Sequence, residues 1–215
     1  MCIRDSLAIN PPTDFSGEIP LTLSVETREA NGDRAVIEAP FSVTVNAVAD
    51  APRVAAQAAQ GQEDAPISLD IEAAIRDGDV SESLYVEIGN VPDGAVLSGG
   101  TLVGENRYRF EVADLEGLSI MPPANSNEDF VLEVQAVSVE PNGSTAVTTI
   151  ELPVMLAGVA DTPTLSVGDV AGREDGWTAL RIDAGLIDTD GSESLSVVVS
   201  GIPSGAKLDR GVDNG

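Results

Sequence analysis

Acidic side chains in three kinds of short cluster are the residues of this sequence that could do chemistry. One is a single Asp in a Val-Ala-Asp linker, one a Glu-Asp pair, and one an Asp-x-Asp loop with a Glu after it, and each occurs twice. The candidate metal ligands are Asp50, Glu63, Asp64, Asp77, Asp79, Glu82, Asp161, Glu174, Asp175, Asp188, Asp190 and Glu193. Because Ca²⁺ takes about six to eight oxygen ligands, converging clusters completed by a backbone carbonyl and water predict Ca²⁺ sites.

The Asp-x-Asp loops admit two interpretations. Residues i and i+2 of an extended segment point the same way, so Asp77 and Asp79 could face one ion. The other copy, Asp-Thr-Asp-Gly at 188–191, is also typical of a turn, because Asp accepts hydrogen bonds from its own backbone and Gly tolerates positive φ. The EF-hand pattern is not present in the sequence, so a site here would have a different geometry.

The sequence repeats itself at an offset of 111 residues, from 48 to 159. Val-Ala-Asp-Ala-Pro at 48–52 recurs as Val-Ala-Asp-Thr-Pro at 159–163. The same ungapped register aligns Asn-Gly at 31–32 with 142–143, and Ser-Glu-Ser-Leu at 81–84 with 192–195. We therefore predict a non-native leader at 1–6, the C-terminal half of one repeat at 7–49, a complete repeat at 50–160 and the N-terminal half of the next at 161–215.

The charge and composition of the chain exclude several functions. Its 36 acidic and 11 basic residues give a net charge of −25, the opposite of what a nucleic-acid binder needs. Apolar runs such as 153–157 are too short for membrane insertion. With no His and one Cys, neither a Ser-His-acid triad nor an internal disulfide can form. We expect no enzyme, because acids that recur in every repeat fit a scaffold better than one carboxylate-only glycosidase cleft.

Apolar and polar residues alternate through the complete repeat, which is the pattern of half-buried strands. The residues expected to face inward are Leu84, Val86, Ile88, Tyr108, Phe110, Val112, Phe130, Leu132, Val134, Ala136, Ile150, Leu152, Val154 and Leu156. A helix-like turn is expected near Glu72 to Arg76. About seven short strands per repeat, separated by Gly- and Pro-rich turns, predict an all-β fold of tandem β-sandwiches of immunoglobulin or cadherin type.

Two stretches carry a resemblance to a known family. They are Ile120-Met121-Pro122-Pro123-Ala124-Asn125-Ser126-Asn127-Glu128-Asp129-Phe130 and the run Glu174-Asp175 … Asp188-Thr189-Asp190-Gly191-Ser192-Glu193-Ser194-Leu195 … Gly201-Ile202-Pro203-Ser204-Gly205-Ala206. Both resemble the tandem cadherin-like repeats of giant RTX-type bacterial adhesins. The resemblance covers nearly everything after residue 6.

The resemblance implies β-sandwich extender modules, exported by type I secretion, that project an adhesive tip from the bacterial cell surface. It also implies Ca²⁺ between modules, with the linker Asp, the Glu-Asp pair and the Asp-x-Asp loop as ligands. The partners would be neighbouring repeats of the same chain and an adhesion target outside it. The complete repeat departs from the pattern at Val80, which stands where the next repeat has Gly191 and makes a positive-φ turn costly.

Two other functions stay open beside a Ca²⁺-rigidified extender. A ligand-binding module would recognise a glycan or a protein through exposed aromatic or hydrophobic patches that differ between repeats, and an aromatic fraction of 3% argues against it. An accessory β-sandwich of a secreted polysaccharide-degrading enzyme would need a catalytic domain elsewhere in the parent gene. The extender remains the leading hypothesis.

Overall fold

The computed structural model describes residues 7–76, 82–188 and 190–212. The predicted ligands Asp77 and Asp79, like Val80 and the leader 1–6, lie outside the described residues. Within the described part, the strands in chain order are β1 (Gly17–Arg28), β2 (Arg34–Val45), β3 (Arg53–Ala56), β4 (Ala59–Gln62), β5 (Ile67–Ser68), β6 (Ile71–Ala74), β7 (Ser83–Gly89), β8 (Val96–Leu97), β9 (Thr101–Gly104), β10 (Arg107–Glu111), β11 (Ser119–Met121), β12 (Phe130–Val139), β13 (Thr145–Ala157), β14 (Thr164–Gly168) and β15 (Arg181–Gly185). A short 3₁₀ helix, Val112–Leu115, follows β10.

Two facing layers of strands make a β-sandwich from residues 53–157, called here the central sandwich. One layer is a six-stranded sheet in the order β4-β13-β12-β7-β10-β9. In this sheet β4 is parallel to β13, and the other pairs are antiparallel. The other layer contains the sheet β5-β11-β8 and the ribbon β3-β6. The sequence prediction of an all-β sandwich fold is confirmed.

Alternating apolar residues fill the space between the two layers. Val86, Ile88 and Leu132 of the larger sheet are fully buried, and Ile120 of the opposite layer joins them in one core cluster. Of the residues predicted to face inward, all except Val112 lie in this cluster or pack against it. Burying one such side chain contributes about 1.5–3 kcal/mol, so Val, Ile and Leu can supply most of a core that is poor in aromatic residues.

Two local predictions are wrong. Val112 begins the 3₁₀ helix and is exposed, because the chain leaves β10 there and turns to bury Leu115 instead. The helix-like turn expected near Glu72 is strand β6, which pairs with β3 over four residues. Strand pairing in the tertiary structure overrides the weak helix preference of Glu and Ala.

A smaller ribbon lies on each side of the central sandwich. β1 and β2 form a hairpin in residues 7–49, the N-terminal segment, and β14 pairs with β15 in residues 161–212, the C-terminal segment. Their registers follow the 111-residue offset, since Val25↔Ile37 in the hairpin corresponds to Ala136↔Thr148 between β12 and β13. The division of the chain into repeats stays a prediction. No helix in the described ranges is long and apolar enough to cross a membrane.

Candidate metal site

Glu63 is held at the end of the larger sheet. Because β4 runs parallel to β13, Glu63 directly after β4 lies beside the segment that follows β13. Its N–H donates to the carbonyl of Ala157 at 3.1 Å, and its Oε1 accepts the N–H of Val159 at 2.6 Å. The residue is 2% exposed, and Oε2 has no hydrogen-bond partner among the described residues. A buried carboxylate oxygen without a partner is costly, so Glu63 Oε2 is a candidate cation ligand.

The loop after β15 carries two further carboxylates. Asp188 is 1% exposed, and its Oδ1 accepts the N–H of Asp190 at 2.8 Å. Ser192 donates its N–H to Asp190 Oδ1 at 2.7 Å and its hydroxyl to Asp188 Oδ2 at 3.3 Å. Gly191 has φ +95°, a conformation that residues with a side chain rarely adopt. These hydrogen bonds and the positive φ of Gly191 are those of a turn, which is the second of the two interpretations of the Asp-x-Asp sequence.

Hydrogen bonds favour the ionised form of Asp190. The pKa of Asp190 is lowered from its ordinary value, chiefly because Ser192 donates side-chain and backbone hydrogen bonds to the carboxylate. The backbone N–H of Asn127, in the loop before β12, also donates to Asp190 Oδ2, at 3.3 Å. These hydrogen bonds favour the anionic form of Asp190, which is the form that a hard cation requires of a carboxylate ligand.

Glu63 and the turn meet beside the linker between the central sandwich and the C-terminal segment. One carboxylate oxygen from each of Glu63, Asp188 and Asp190 lies within 4.8 Å of the other two. Ligands on opposite sides of one Ca²⁺ ion are about 4.6–5.2 Å apart, twice the Ca–O distance, so the three oxygens can contact a single ion. A Cβ built at Gly158 would lie 3.5 Å from Glu63 Oε1 and 3.3 Å from Asn127 Nδ2, so glycine lets the linker approach the site closely.

The linker Asp residues contact a different part of the clusters. The N–H of Asp161 donates to Glu193 Oε1 at 2.6 Å, and the N–H of Asp50 donates to Glu82 Oε1 at 2.8 Å. The second carboxylate oxygen of each Glu is buried and lacks a hydrogen-bond partner in the part of the chain that the structure describes. Both linkers are therefore fixed, through the backbone of the Asp, to the Glu that follows the Asp-x-Asp loop.

The two Glu-Asp pairs contribute unequally to the group of three carboxylates. Asp64 has φ +55°, and its Oδ1 accepts the N–H of Asn125 at 2.9 Å, so its carboxylate closes a contact between two loops. Asp175 has nearly the same backbone conformation, with φ +59°, and Glu174 beside it is exposed. Of the residues in these pairs, the structure brings Glu63 into the three-carboxylate group and places the others outside it.

Sequence analysis missed the donors that orient the site and the linkers. Ser138 donates its hydroxyl to the carbonyl of Asp50 at 2.6 Å, and Asn142 donates its side-chain amide to the carbonyl of Ala47 at 2.7 Å. Ser192 lies in a stretch that the sequence singles out, but its residue type does not reveal a partner. These donors are recognisable only when the loops that contain them and their acceptors are brought together.

Comparison with known proteins yields structural matches alone. No protein-family model matches the chain, and no curated protein matches its sequence. Two of the solved structures that are similar contain extracellular cadherin domains of protocadherin gamma B2, domains 1–5 and domains 3–6. Their sequence identities to this chain are 15% and 14%, and the TM-score is 0.36 for each. Each match covers 77% of this chain, which spans 31% and 39% of those two chains.

Proposed function

We propose that this chain is a structural extender segment of an adhesin, in which Ca²⁺ fixes the orientation of neighbouring repeats. The observation that supports this most is the group formed by Glu63, Asp188 and Asp190. Glu63 belongs to the central sandwich and the two Asp residues belong to the C-terminal segment, so one ion bound by all three would join the two parts. An extended chain of such joints would hold an adhesive tip away from its anchor.

The proposed mechanism is electrostatic. Three carboxylates with oxygens within 4.8 Å of one another repel when no cation lies between them. Ca²⁺ would neutralise this repulsion and lock the angle at the linker, whereas its removal would let the C-terminal segment move away from the sandwich. The net charge of −25 adds repulsion along the whole chain, which favours an extended arrangement at low salt.

Partners, location and the lack of enzymatic activity follow from the same proposal. The segment would act mechanically, with neighbouring repeats of its own chain as partners and the adhesion target in another part of the protein. Ca²⁺ sites of extracellular modules bind with dissociation constants on the order of 10⁻⁴–10⁻³ M, so a joint of this kind suits the outside of a cell. Secretion to a bacterial surface by a type I system would place it there.

A calcium titration of the 215-residue chain tests the proposal. We expect Ca²⁺ to bind at about 10⁻⁴–10⁻³ M by isothermal calorimetry and to narrow the range of shapes seen by small-angle X-ray scattering. Glu63→Gln should weaken this binding about tenfold or more, because it removes a charged ligand. Glu174→Gln is the matched control, since Glu174 is the same residue 111 positions later and is exposed outside the group.

Two results would overturn the calcium joint. One is a chain whose heat of binding and scattering profile are the same in Ca²⁺ and in chelator. The other is equal loss of binding in Glu63→Gln and Glu174→Gln, which would indicate diffuse counter-ion binding to an acidic surface. Selective loss in Glu63→Gln together with an unchanged scattering profile would leave a metal site but contradict the mechanical role.

A further inference from the structure

An open cavity of about 1130 Å³ lies beside the ribbon β3-β6 and is called here the ribbon cavity. Its lining residues all fall between Ala51 and Thr148, so neither flanking segment contributes to it. Clefts that bind small molecules in proteins have volumes of about 300–1,000 Å³ and are lined mainly by apolar side chains with a few polar groups. The ribbon cavity is therefore large enough for a small ligand.

Residues of the hydrophobic core form the apolar wall of the ribbon cavity. Those that line it and belong to the core cluster are Leu69, Ile71, Leu115 and Leu118. Ala73 of β6 packs against the same cluster and also lines the cavity. A ligand in the cavity would remove apolar surface at the margin of the core from water, which favours a ligand with an apolar body.

The ribbon cavity extends along the two strands of the ribbon. It is lined by the consecutive residues 51–55, which lead into β3, and by the consecutive residues 68–74, which include β6. At about 3.3 Å per residue, residues 51–55 span about 13 Å. An elongated cavity of this kind suits a linear chain better than a compact ring system.

Two of the 11 basic residues of the chain line one end of the ribbon cavity. Arg53 begins β3 and pairs with Ala74, the last residue of β6, and Arg76 follows two residues later. Among the described residues, neither guanidinium group has an ion pair or a hydrogen bond. Because a guanidinium group binds a carboxylate through two parallel hydrogen bonds, this end of the cavity can receive a carboxylate from outside the chain.

The carboxylates that line the ribbon cavity lie away from the arginine end. Asp70 directly follows Leu69, and Glu116 stands two residues before Leu118. The N–H of Leu69 donates to the carbonyl of Leu118 at 2.9 Å, so these two acids are at the opposite end. Glu72 lies between the two ends, within β6. An anionic group is therefore favoured at one end of the cavity only.

We propose that the ribbon cavity binds a single-chain aliphatic carboxylate of medium length. Its carboxylate would lie between Arg53 and Arg76, and its alkyl chain against Leu69, Leu115 and Leu118. The arginines would select the head group, and burial of methylene groups would supply most of the affinity. The three carboxylates of the candidate metal site do not line this cavity, so the two sites can be tested separately.

Isothermal calorimetry of the 215-residue chain with hexanoate, octanoate and decanoate tests the proposal. The buffer is free of Ca²⁺, so that the candidate metal site takes no part. We expect one binding site, and binding that tightens about fourfold for each added methylene. Octan-1-ol should bind about tenfold more weakly than octanoate, because it carries no charge to pair with the arginines. Equal binding of octanoate and octan-1-ol, or binding that does not depend on chain length, would overturn the proposal.

Charge variants test the head-group end of the ribbon cavity. Arg53→Gln combined with Arg76→Gln should weaken octanoate binding about tenfold and leave the binding of octan-1-ol unchanged. Arg28→Gln combined with Arg34→Gln is the matched control, because it removes the same charge from exposed arginines of the hairpin β1-β2. Equal weakening in the two double variants would show that net charge alone governs binding, and it would contradict a site between Arg53 and Arg76.

A blocking variant tests where the alkyl chain lies. Val112 begins the 3₁₀ helix, lines the ribbon cavity and is 37% exposed, so a larger side chain there enters the cavity without displacing the core. Val112→Trp should abolish octanoate binding while the circular dichroism spectrum and the melting temperature stay as in the wild type. In the wild type, octanoate should shift the amide NMR signals of β3, β6 and the 3₁₀ helix. Full binding to Val112→Trp, or shifts confined to other strands, would place the ligand elsewhere and refute the proposal.

Discussion

At the scale of single residues, the carboxylates of the candidate metal site differ in the hydrogen bonds that they accept. Ser192 and Asn127 donate to the carboxylate of Asp190 and lower its pKa. Glu63, in contrast, has a buried oxygen without a hydrogen-bond partner in the described chain. The site thus combines a carboxylate that hydrogen bonds of its own turn stabilise with one whose buried oxygen has no partner in the described chain. Different variants test the two carboxylates.

Replacing Ser192 by Ala should raise the pKa of Asp190 toward its ordinary value. The folded-state pKa lies below the ordinary one, so the ionised carboxylate stabilises the turn above the ordinary pKa, and that contribution is lost as the pH falls through the lowered value. The titration is followed by NMR of the side-chain carboxyl carbon in Ca²⁺-free buffer. Ser194→Ala, which changes an exposed neighbour, should leave the midpoint unchanged. Equal midpoints in the wild type and Ser192→Ala would contradict this account.

At the scale of elements, glycine lets the β8-β9 turn pack against the core. Gly100 has φ +90°, and a Cβ built there would lie 2.5 Å from Cζ of Phe110, which is 1% exposed. The position needs glycine for two reasons, namely the left-handed backbone and the ring that occupies the space of a side chain. Gly143 shares the first reason alone, because its φ is +89° and nothing lies within 4 Å of its Cβ position.

Gly100→Ala should lower the free energy of unfolding by about 2–5 kcal/mol, the sum of backbone strain and overpacking. Gly143→Ala should lower it by about 1–2 kcal/mol, from backbone strain alone. Urea unfolding of the two variants, followed by circular dichroism, measures both values on the same sandwich. If the two substitutions cost the same, the Phe110 ring yields to the added methyl group and the packing argument is wrong.

At the scale of the whole molecule, hydrogen bonds to the linkers decide how the parts are arranged. Asn142 donates to the carbonyl of Ala47 and also accepts the N–H of Ser144 within its own turn, at 2.8 Å. Asn31, its counterpart 111 residues earlier, makes the equivalent turn contact by accepting the N–H of Asp33, at 3.0 Å. The structure records no linker contact for Asn31 within the described residues. Comparing variants of the two asparagines therefore distinguishes the effect of the turn hydrogen bond from the effect of the linker hydrogen bond.

Asn142→Ala should broaden the orientations that the hairpin β1-β2 adopts relative to the central sandwich, because it frees the linker at Ala47. Asn31→Ala should not broaden them, although it removes the same kind of turn hydrogen bond. Residual dipolar couplings of the two parts, measured in a dilute sample, report the spread of orientations. Similar couplings for wild type and Asn142→Ala would mean that other contacts hold the linker.

Much of the fold could be predicted from the sequence because strand periodicity is a local property. Alternation identified the buried row Leu132, Val134 and Ala136 without any knowledge of the partner strand. It failed at Val112, where the chain turns out of the sheet, and near Glu72, where pairing with β3 forms a strand. In both places the outcome depends on a neighbour that is distant in sequence.

The sequence by itself determined the acidity of this protein, the residue types in its candidate site and the alternation that buries its core. Only the tertiary structure decided which acids converge. Glu63 meets Asp188 and Asp190, while its neighbour Asp64 contacts Asn125 and the linker residue Asp161 contacts Glu193. The physical reason is that a metal site needs oxygens a few ångströms apart, and the distance between residues more than a hundred positions apart is determined by sheet register and linker hydrogen bonds rather than by residue type.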